Sequence, residues 1–176
     1  DRVTSITYPN NIKEYYYYDK EGNILRYVTP NYKDFKFTYN PLSQRTSLTS
    51  PLLKSTLYSY NKNRDLTKIT YPSSKEINYH YDNSQLSKVT TSNNDEFTYK
   101  YSFHNKIDTI TRNSNEKTSY SYDGELMTKI RYEGELNQDI SFTYNSDFLP
   151  NSITYLNGQI WAKINHYLTS KEKLVK

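Results

Sequence analysis

The side chains best able to do acid–base or metal chemistry are His80, His104 and His166. No two of them share the short spacing that puts imidazoles on one metal ion. His80 stands at a place filled by Thr, Ser or Lys at equivalent points of the chain, and His104 falls in a turn-prone stretch. A second candidate is a column of oxygen donors, Asp19, Asn40, Asn61, Asp82, Ser102, Asp123 and Asn145. Calcium takes six to eight oxygens, several of them carboxylates, at about 2.3–2.6 Å. Amides and a hydroxyl at half the places suit turn capping better. The many Ser and Thr include no Gly-x-Ser-x-Gly elbow and no phosphate loop. With no cysteine in the chain, disulfides and thiolate metal centres are excluded. No catalytic, cofactor-binding or metal-binding residue is assigned, and no cofactor is implied.

Aromatic rings could bind a sugar or a base by stacking. The chain has 21 Tyr, 6 Phe and one Trp. Rings that recur at a fixed beat read as core, because cross-strand aromatic pairs stabilise sheets. Rings outside the beat, Tyr17, Tyr32 and Trp161, are the candidate ligand contacts. The charge is +4, from 23 basic and 19 acidic residues that are interspersed. A nucleic-acid binder would cluster them on one face, so nucleic acid is not an expected partner. No apolar run is long enough for a membrane span.

The elements that must position these groups follow a repeat. An aromatic-x-Tyr pair and a polar residue occur at Tyr16–Asp19, Phe37–Asn40, Tyr58–Asn61, Tyr79–Asp82, Tyr99–Ser102, Tyr120–Asp123 and Phe142–Asn145. The polar residues are 21, 21, 21, 20, 21 and 22 positions apart. A second element follows: Ile6-Thr7-Tyr8, Ile69-Thr70-Tyr71 and Ile153-Thr154-Tyr155 are identical, and Ile130-Arg131-Tyr132 is close. Val28, Leu48, Val89 and Ile110 read as its counterparts elsewhere. Strand residues i and i+2 share a face. Both rings of a pair therefore point one way, and Thr38, Ser59, His80, Lys100, Ser121 and Thr143 point the other. Asp19 to Asn23 reads as one turn, with Gly22 supplying positive φ. Pro9, Pro30 and Pro72 end the other strand.

The chain thus reads as an all-β antiparallel meander of about 15 strands, one every ten residues or so. Leu, Ile and Val are few, so phenol rings must supply the apolar face, with hydroxyls reaching an edge. Tyr18, Tyr39, Tyr60, Tyr81, Tyr101, Tyr122 and Tyr144 are expected to be mostly buried, stacked in columns from repeat to repeat. An open sheet of this size tends to curl, so a spiral or shell is expected. Asn157-Gly158 signals a type I′ hairpin, and Gln159 to Tyr167 reads as a returning strand in preference to a terminal helix. The start at Asp1, without Met or a leader-like stretch, reads as a piece of a longer protein.

Tyr16 to Thr29 carries the pattern Tyr-x-Tyr-Asp-x-x-Gly-x-Ile/Leu-x-x-x-Val/Ile-Thr and resembles the YD repeat of bacterial Rhs proteins, the Tc toxin cocoon and the teneurin shell. The resemblance spans about residues 1–155. Four of seven repeats replace the Asp by Asn or Ser, one keeps the Gly in register, and no segment matches the family's autoproteolytic terminus. The resemblance implies tandem β-hairpin repeats over 1–155, followed by an irregular final hairpin or truncated repeat over 156–176. It implies a non-catalytic, secreted or surface bacterial shell segment whose partner is the rest of its own polypeptide, enclosed cargo included. The alternative is an adhesion module binding carbohydrate or a surface protein through exposed rings.

Overall fold

The computed structural model describes residues 2–135, 137–156 and 160–165, with 156 and 160–165 described by backbone alone. Two units divide the chain, Asp1–Asn94 and Asp95–Lys176. In the first unit the strands are β1 (Ser5–Thr7), β2 (Lys13–Tyr18), β3 (Ile24–Val28), β4 (Asp34–Tyr39), β5 (Arg45–Thr49), β6 (Ser55–Tyr60), β7 (Leu66–Thr70), β8 (Glu76–Asp82) and β9 (Gln85–Thr91). In the second they are β10 (Glu96–Tyr101), β11 (Ile107–Arg112), β12 (Glu116–Asp123), β13 (Leu126–Glu133), β14 (Gln138–Tyr144), β15 (Pro150–Leu156) and β16 (Ile160–Asn165). Within each unit every strand pairs antiparallel with the next in chain order. No described residue is helical. The all-β meander expected from the ring spacing is the observed fold. Ile160–Asn165 is strand, paired with β15; Asn157-Gly158 lies outside the described residues.

Each hairpin carries a bulge at the same place, just before the second ring of the aromatic pair. In the first unit the register shifts after Tyr17, Thr38, Ser59 and His80. In the second it shifts after Lys100, Ser121 and Thr143. The extra residue lies on the returning strand and increases local twist. The strand register also corrects one alignment. Tyr27, and not Val28, faces Tyr16, in the place that Leu48 holds opposite Phe37 and Ile69 opposite Tyr58.

Five of the seven turns after the aromatic strands share one geometry; β8–β9 and β12–β13 instead turn over two residues, Asn83-Ser84 and Gly124-Glu125. Asp19 N–H donates to Asn23 O and Gly22 N–H to Asp19 O. The same pair of bonds recurs at Asn40–Gln44, Asn61–Asp65, Ser102–Lys106 and Asn145–Leu149. Asp19 Oδ1 accepts from the N–H of Gly22 and Asn23 at 2.7 Å. Asn40, Asn61 and Asn145 accept likewise from Gln44, Asp65 and Leu149. These four oxygens of the supposed calcium ladder are turn caps. In these five the fourth turn position is left-handed, filled by Gly22 (φ 100°), Ser43 (60°), Arg64 (71°), Asn105 (59°) and Phe148 (61°). This is a type I turn with a left-handed residue before the bulge. It forms with or without glycine, which is why losing the repeat's Gly leaves the hairpin intact. At the opposite end Pro9, Pro30, Pro51 and Pro72 occupy the first central turn position, where their fixed φ is pre-set.

The facing assigned from the alternation holds. Thr38, Ser59, His80, Lys100, Ser121 and Thr143 are all exposed. The expected burial does not: Tyr18, Tyr39, Tyr60, Tyr81, Tyr101, Tyr122 and Tyr144 are only half-buried, and no hydrophobic residue is fully buried among the described residues. A single sheet layer can cover a ring from its flanks and from beneath but not from above. Unbroken ring columns are corrected too. The first ring of most pairs faces an aliphatic residue, such as Leu48, Ile69 or Val89 in the first unit.

Candidate functional site

The residues that set this fold to work lie on the ring face, at two places. The first is the joint between repeats. Strands within a hairpin share four to seven residue pairs, whereas successive hairpins are joined more briefly: β3 meets β4 only over Arg26–Val28, β5 meets β6 over Ser47–Thr49, and β7 meets β8 over Lys68–Thr70. The carbonyls of Ile24, Arg45 and Leu66 lie past the ends of these short ladders. The second tyrosine of the next repeat closes each of them. Tyr39, Tyr60 and Tyr81 donate their hydroxyls to the carbonyls of Ile24, Arg45 and Leu66 at 3.0, 2.8 and 2.9 Å. In the second unit Tyr122 and Tyr144 donate to Ile107 and Met127 at 3.0 and 2.7 Å. Tyr18 begins the series on Val3 at 2.8 Å. Burial pushes the Tyr39 and Tyr81 phenols above their ordinary value, which keeps them as neutral donors.

The second place is a polar knot. Glu14 on β2 shares its face with Tyr16 and Tyr18. Phe35, Thr56, Ile77, Phe97, Thr118 and Ile140 hold the corresponding places, two before the first ring of their pairs. Glu14 is therefore the one carboxylate in a column of apolar and Thr side chains, and it is 5% exposed. Tyr16 donates to its Oε1 at 2.9 Å and Tyr27 to its Oε2 at 2.8 Å. Tyr27 stacks on Tyr16 at 4.9 Å between centroids and on Phe35 at 6.2 Å. Hydrogen bonds from Tyr27 and then Tyr16 hold the Glu14 carboxyl below its usual value, against the opposing effect of burial. The bond to Glu14 pushes the Tyr16 phenol up to about 12, and the same bond raises Tyr27. Tyr8 is raised first by burial and then by the Glu14 charge. Near neutrality the carboxylate stays ionised and the phenols stay protonated. The cluster thus has no group poised for proton transfer; it ties β1, β2 and β3 together.

The rings singled out as ligand contacts are not brought to one place. Tyr17 is on the opposite face of β2, 47% exposed, with the Arg26 guanidinium 5.2 Å from its centroid. It lines an open groove with Arg2, Ser5, Tyr15 and Asp19. Tyr32 is 84% exposed at the tip of the β3–β4 turn. The Trp161 side chain and His166 lie outside the described residues. His80 is exposed, and His104 sits in a turn, edge-on to Phe103 at 5.5 Å. Among the described residues no group of three His, Cys, Asp or Glu could hold a metal ion. Neither the hydroxyl series nor the knot was identified from the sequence. The knot had a signal, a lone carboxylate in a 21-residue column of otherwise apolar and Thr side chains. The hydroxyl series had a weaker one, the invariance of the second tyrosine.

A short ring-bearing hairpin, repeated and stitched to its predecessor by a phenol, points to one family of β strips. The sequence profile of the Teneurin YD-shell family matches residues 1–173. The chain belongs to the Teneurin YD-shell family. Its fold is shared with the Tc holotoxin pore of Photorhabdus luminescens, at a TM-score of 0.74 and 12% identity over 88% of this chain and 9% of that one. Crystal structures of TcdB2-TccC3, and of TcdB2-TccC3 without its hypervariable C-terminal region, match at the same TM-score and identity over 87% of this chain. The chain thus spans about a tenth of the length of those structures. No curated protein matches. The YD-shell family and the shared toxin fold support a structural shell role for these hairpins.

Proposed function

We propose that this chain is a non-catalytic segment of a YD shell, carried by a secreted or surface bacterial protein, and that the shell encloses a toxin or other cargo of the same polypeptide. In this reading residues 1–155 are the strip and 156–176 its irregular last hairpin or truncated repeat. The observation that carries it is the phenol bond at each inter-repeat joint. Such a bond adds cohesion along the strip without adding a pocket or a reactive group. Half-covered rings on one face also need a further layer, which a closed shell supplies. No helix among the described residues is long and apolar enough to cross a membrane, which says nothing of a β-barrel.

The test uses the parent polypeptide. Limited proteolysis should spare a segment beyond the repeats, and the triple variant Tyr39→Phe, Tyr60→Phe, Tyr81→Phe should expose it. A parent with no protected segment would sink the cargo reading. Adhesion is the second reading and rests on the exposed rings of Tyr17 and Tyr32. It predicts carbohydrate binding that Tyr32→Ala or Trp161→Ala abolishes.

A further inference from the structure

The two ends of the first unit use the same hydrogen-bonded turn but not the same side chains. At one end the turns carry Lys20, Glu21, Lys62, Arg64 and Asp65, of mixed charge. At the other, three successive turns run Thr29-Pro30-Asn31-Tyr32-Lys33, Ser50-Pro51-Leu52-Leu53-Lys54 and Tyr71-Pro72-Ser73-Ser74-Lys75. Tyr32, Leu52 and Leu53 are 84%, 79% and 81% exposed. Tyr32 (φ 59°) and Leu53 (φ 58°) also hold the left-handed position, where bulky side chains are disfavoured and Gly or Asn is preferred. Large apolar side chains at a strained and solvent-facing place cost stability and return none to the fold.

Lys33, Lys54 and Lys75 sit at one equivalent position of these turns, exposed and in none of the ion pairs among the described residues. The turns themselves contain no carboxylate. The acids that follow are already neutralised, Asp34 by Arg26 at 2.9 Å and Glu76 by Lys68 at 2.6 Å. Neighbouring strands are about 4.8 Å apart, so successive turns on one end stand about 10 Å apart. The rim is thus a row of three lysines beside protruding apolar tips, and the acids next to it, Asp34 and Glu76, are already paired with Arg26 and Lys68.

We propose that this rim docks on an anionic phospholipid bilayer, Tyr32, Leu52 and Leu53 entering the headgroup boundary and Lys33, Lys54 and Lys75 meeting lipid phosphates. Apolar tips with a basic collar are the chemistry of interfacial binding. A row of protruding turns fits a deformable lipid surface. A protein partner would need a matching cavity and about 800 Å² per side for a stable contact. The proposal stands apart from the shell reading: the shell reading is tested by cargo protection, this one by lipid.

Sedimentation of the 176-residue chain with phosphatidylcholine vesicles, with and without about one-third phosphatidylserine, tests it. Binding is expected to the anionic vesicles and to weaken with salt. Each lysine near an anionic surface strengthens binding about fivefold, so the triple Lys33→Gln, Lys54→Gln, Lys75→Gln should lose about a hundredfold. Leu52→Ser with Leu53→Ser should lose at least about tenfold. Leu42→Ser, at the other end, should change nothing, and circular dichroism should be unaltered in all. The chain has no cysteine, so Asn31→Cys can carry an environment-sensitive dye whose emission shifts to the blue on vesicle binding, while the same dye at Leu42→Cys does not. The proposal is overturned if the wild-type chain fails to pellet with anionic vesicles, if the leucine pair can be replaced without loss, or if both dyes respond alike. A rim that ignores lipid yet binds a protein would overturn it too.

Discussion

The hydroxyl at each inter-repeat joint can be isolated at Tyr81. Its ring is half-buried and its hydroxyl donates to the Leu66 carbonyl at 2.9 Å. A hydrogen bond of this kind contributes about 1 kcal/mol net. Water can partly replace the lost phenol at a half-open site, so Tyr81→Phe should cost about 0.5–1 kcal/mol. Removing a fully buried aromatic costs about 3–5 kcal/mol. Half of that applies to a ring covered on one side, so Tyr81→Ala should cost about 2–3 kcal/mol with the hydroxyl included. His80, on the exposed face, sets the baseline: His80→Ala should stay within about 0.5 kcal/mol. Urea titration followed by far-UV circular dichroism gives the order, provided the slope is unchanged. Amide hydrogen exchange gives the place. Tyr81→Phe should speed exchange in β7 and β8, which that bond joins, and leave β2 and β3 as they were. If Tyr81→Phe matches the wild type, or its exchange effect spreads evenly, the phenol is not what holds the joint.

Four further substitutions probe the knot and the turns. The carboxyl of Glu14 is lowered in the folded chain, so its contribution is present above the ordinary value of 4.5 and is lost as pH falls through the folded value; exchange in β1 and β2 should rise there, and Glu14→Gln should remove that pH dependence. Tyr16 is raised to about 12, so its contribution is held below the ordinary value of 10 and lost as pH rises between the two; an ultraviolet titration of Tyr16→Phe should lack one late-ionising phenol. Arg64 holds φ 71° while its backbone carbonyl accepts from Gln44 Nε2, so Arg64→Gly should keep that bond and stabilise by about 0.5–1 kcal/mol. Gly22→Ala should do the reverse by at least about 1 kcal/mol, since φ is 100° and the Arg2 guanidinium lies where the new methyl would go; thermal melts of the pair decide it.

What was legible in the sequence was whatever depends on period. Rings two apart at a 21-residue beat determine the strands, their order and which side each residue faces, and the exposure of Ser59, His80 and Lys100 agrees. What was not legible depends on one-residue irregularities and on thickness. The place opposite Tyr16 is filled by Tyr27 where the other repeats have an aliphatic residue, so a search for an aliphatic counterpart stops one place late, at Val28. Burial was overestimated because alternation shows which way a ring points and not whether a second layer lies above it. Glu14 could have been found by aligning the repeats on their rings, since a carboxylate among Phe35, Thr56 and Ile77 breaks the pattern. The target of each hydroxyl is a backbone carbonyl, and a carbonyl carries no sequence signature.

The joints nevertheless explain a regularity that periodicity alone leaves arbitrary. The first ring of the pair is Tyr or Phe: Phe37 and Phe142 stand where Tyr58, Tyr79, Tyr99 and Tyr120 stand elsewhere. The second is Tyr in all seven repeats. If rings served only as apolar cover, the two positions would tolerate Phe alike, because Phe offers the same area without a hydroxyl to satisfy. The difference lies in what each ring meets. The first faces the side chain of a residue such as Leu48 or Ile69, for which a plain ring suffices. The second reaches a carbonyl stranded past the end of a three-residue ladder, and an unpaired carbonyl under a half-covered ring is costly. A phenol is the side chain that offers an apolar face and a donor at that distance. The same bond lets successive hairpins be joined by few residue pairs, and short joints leave each hairpin free to take its own twist.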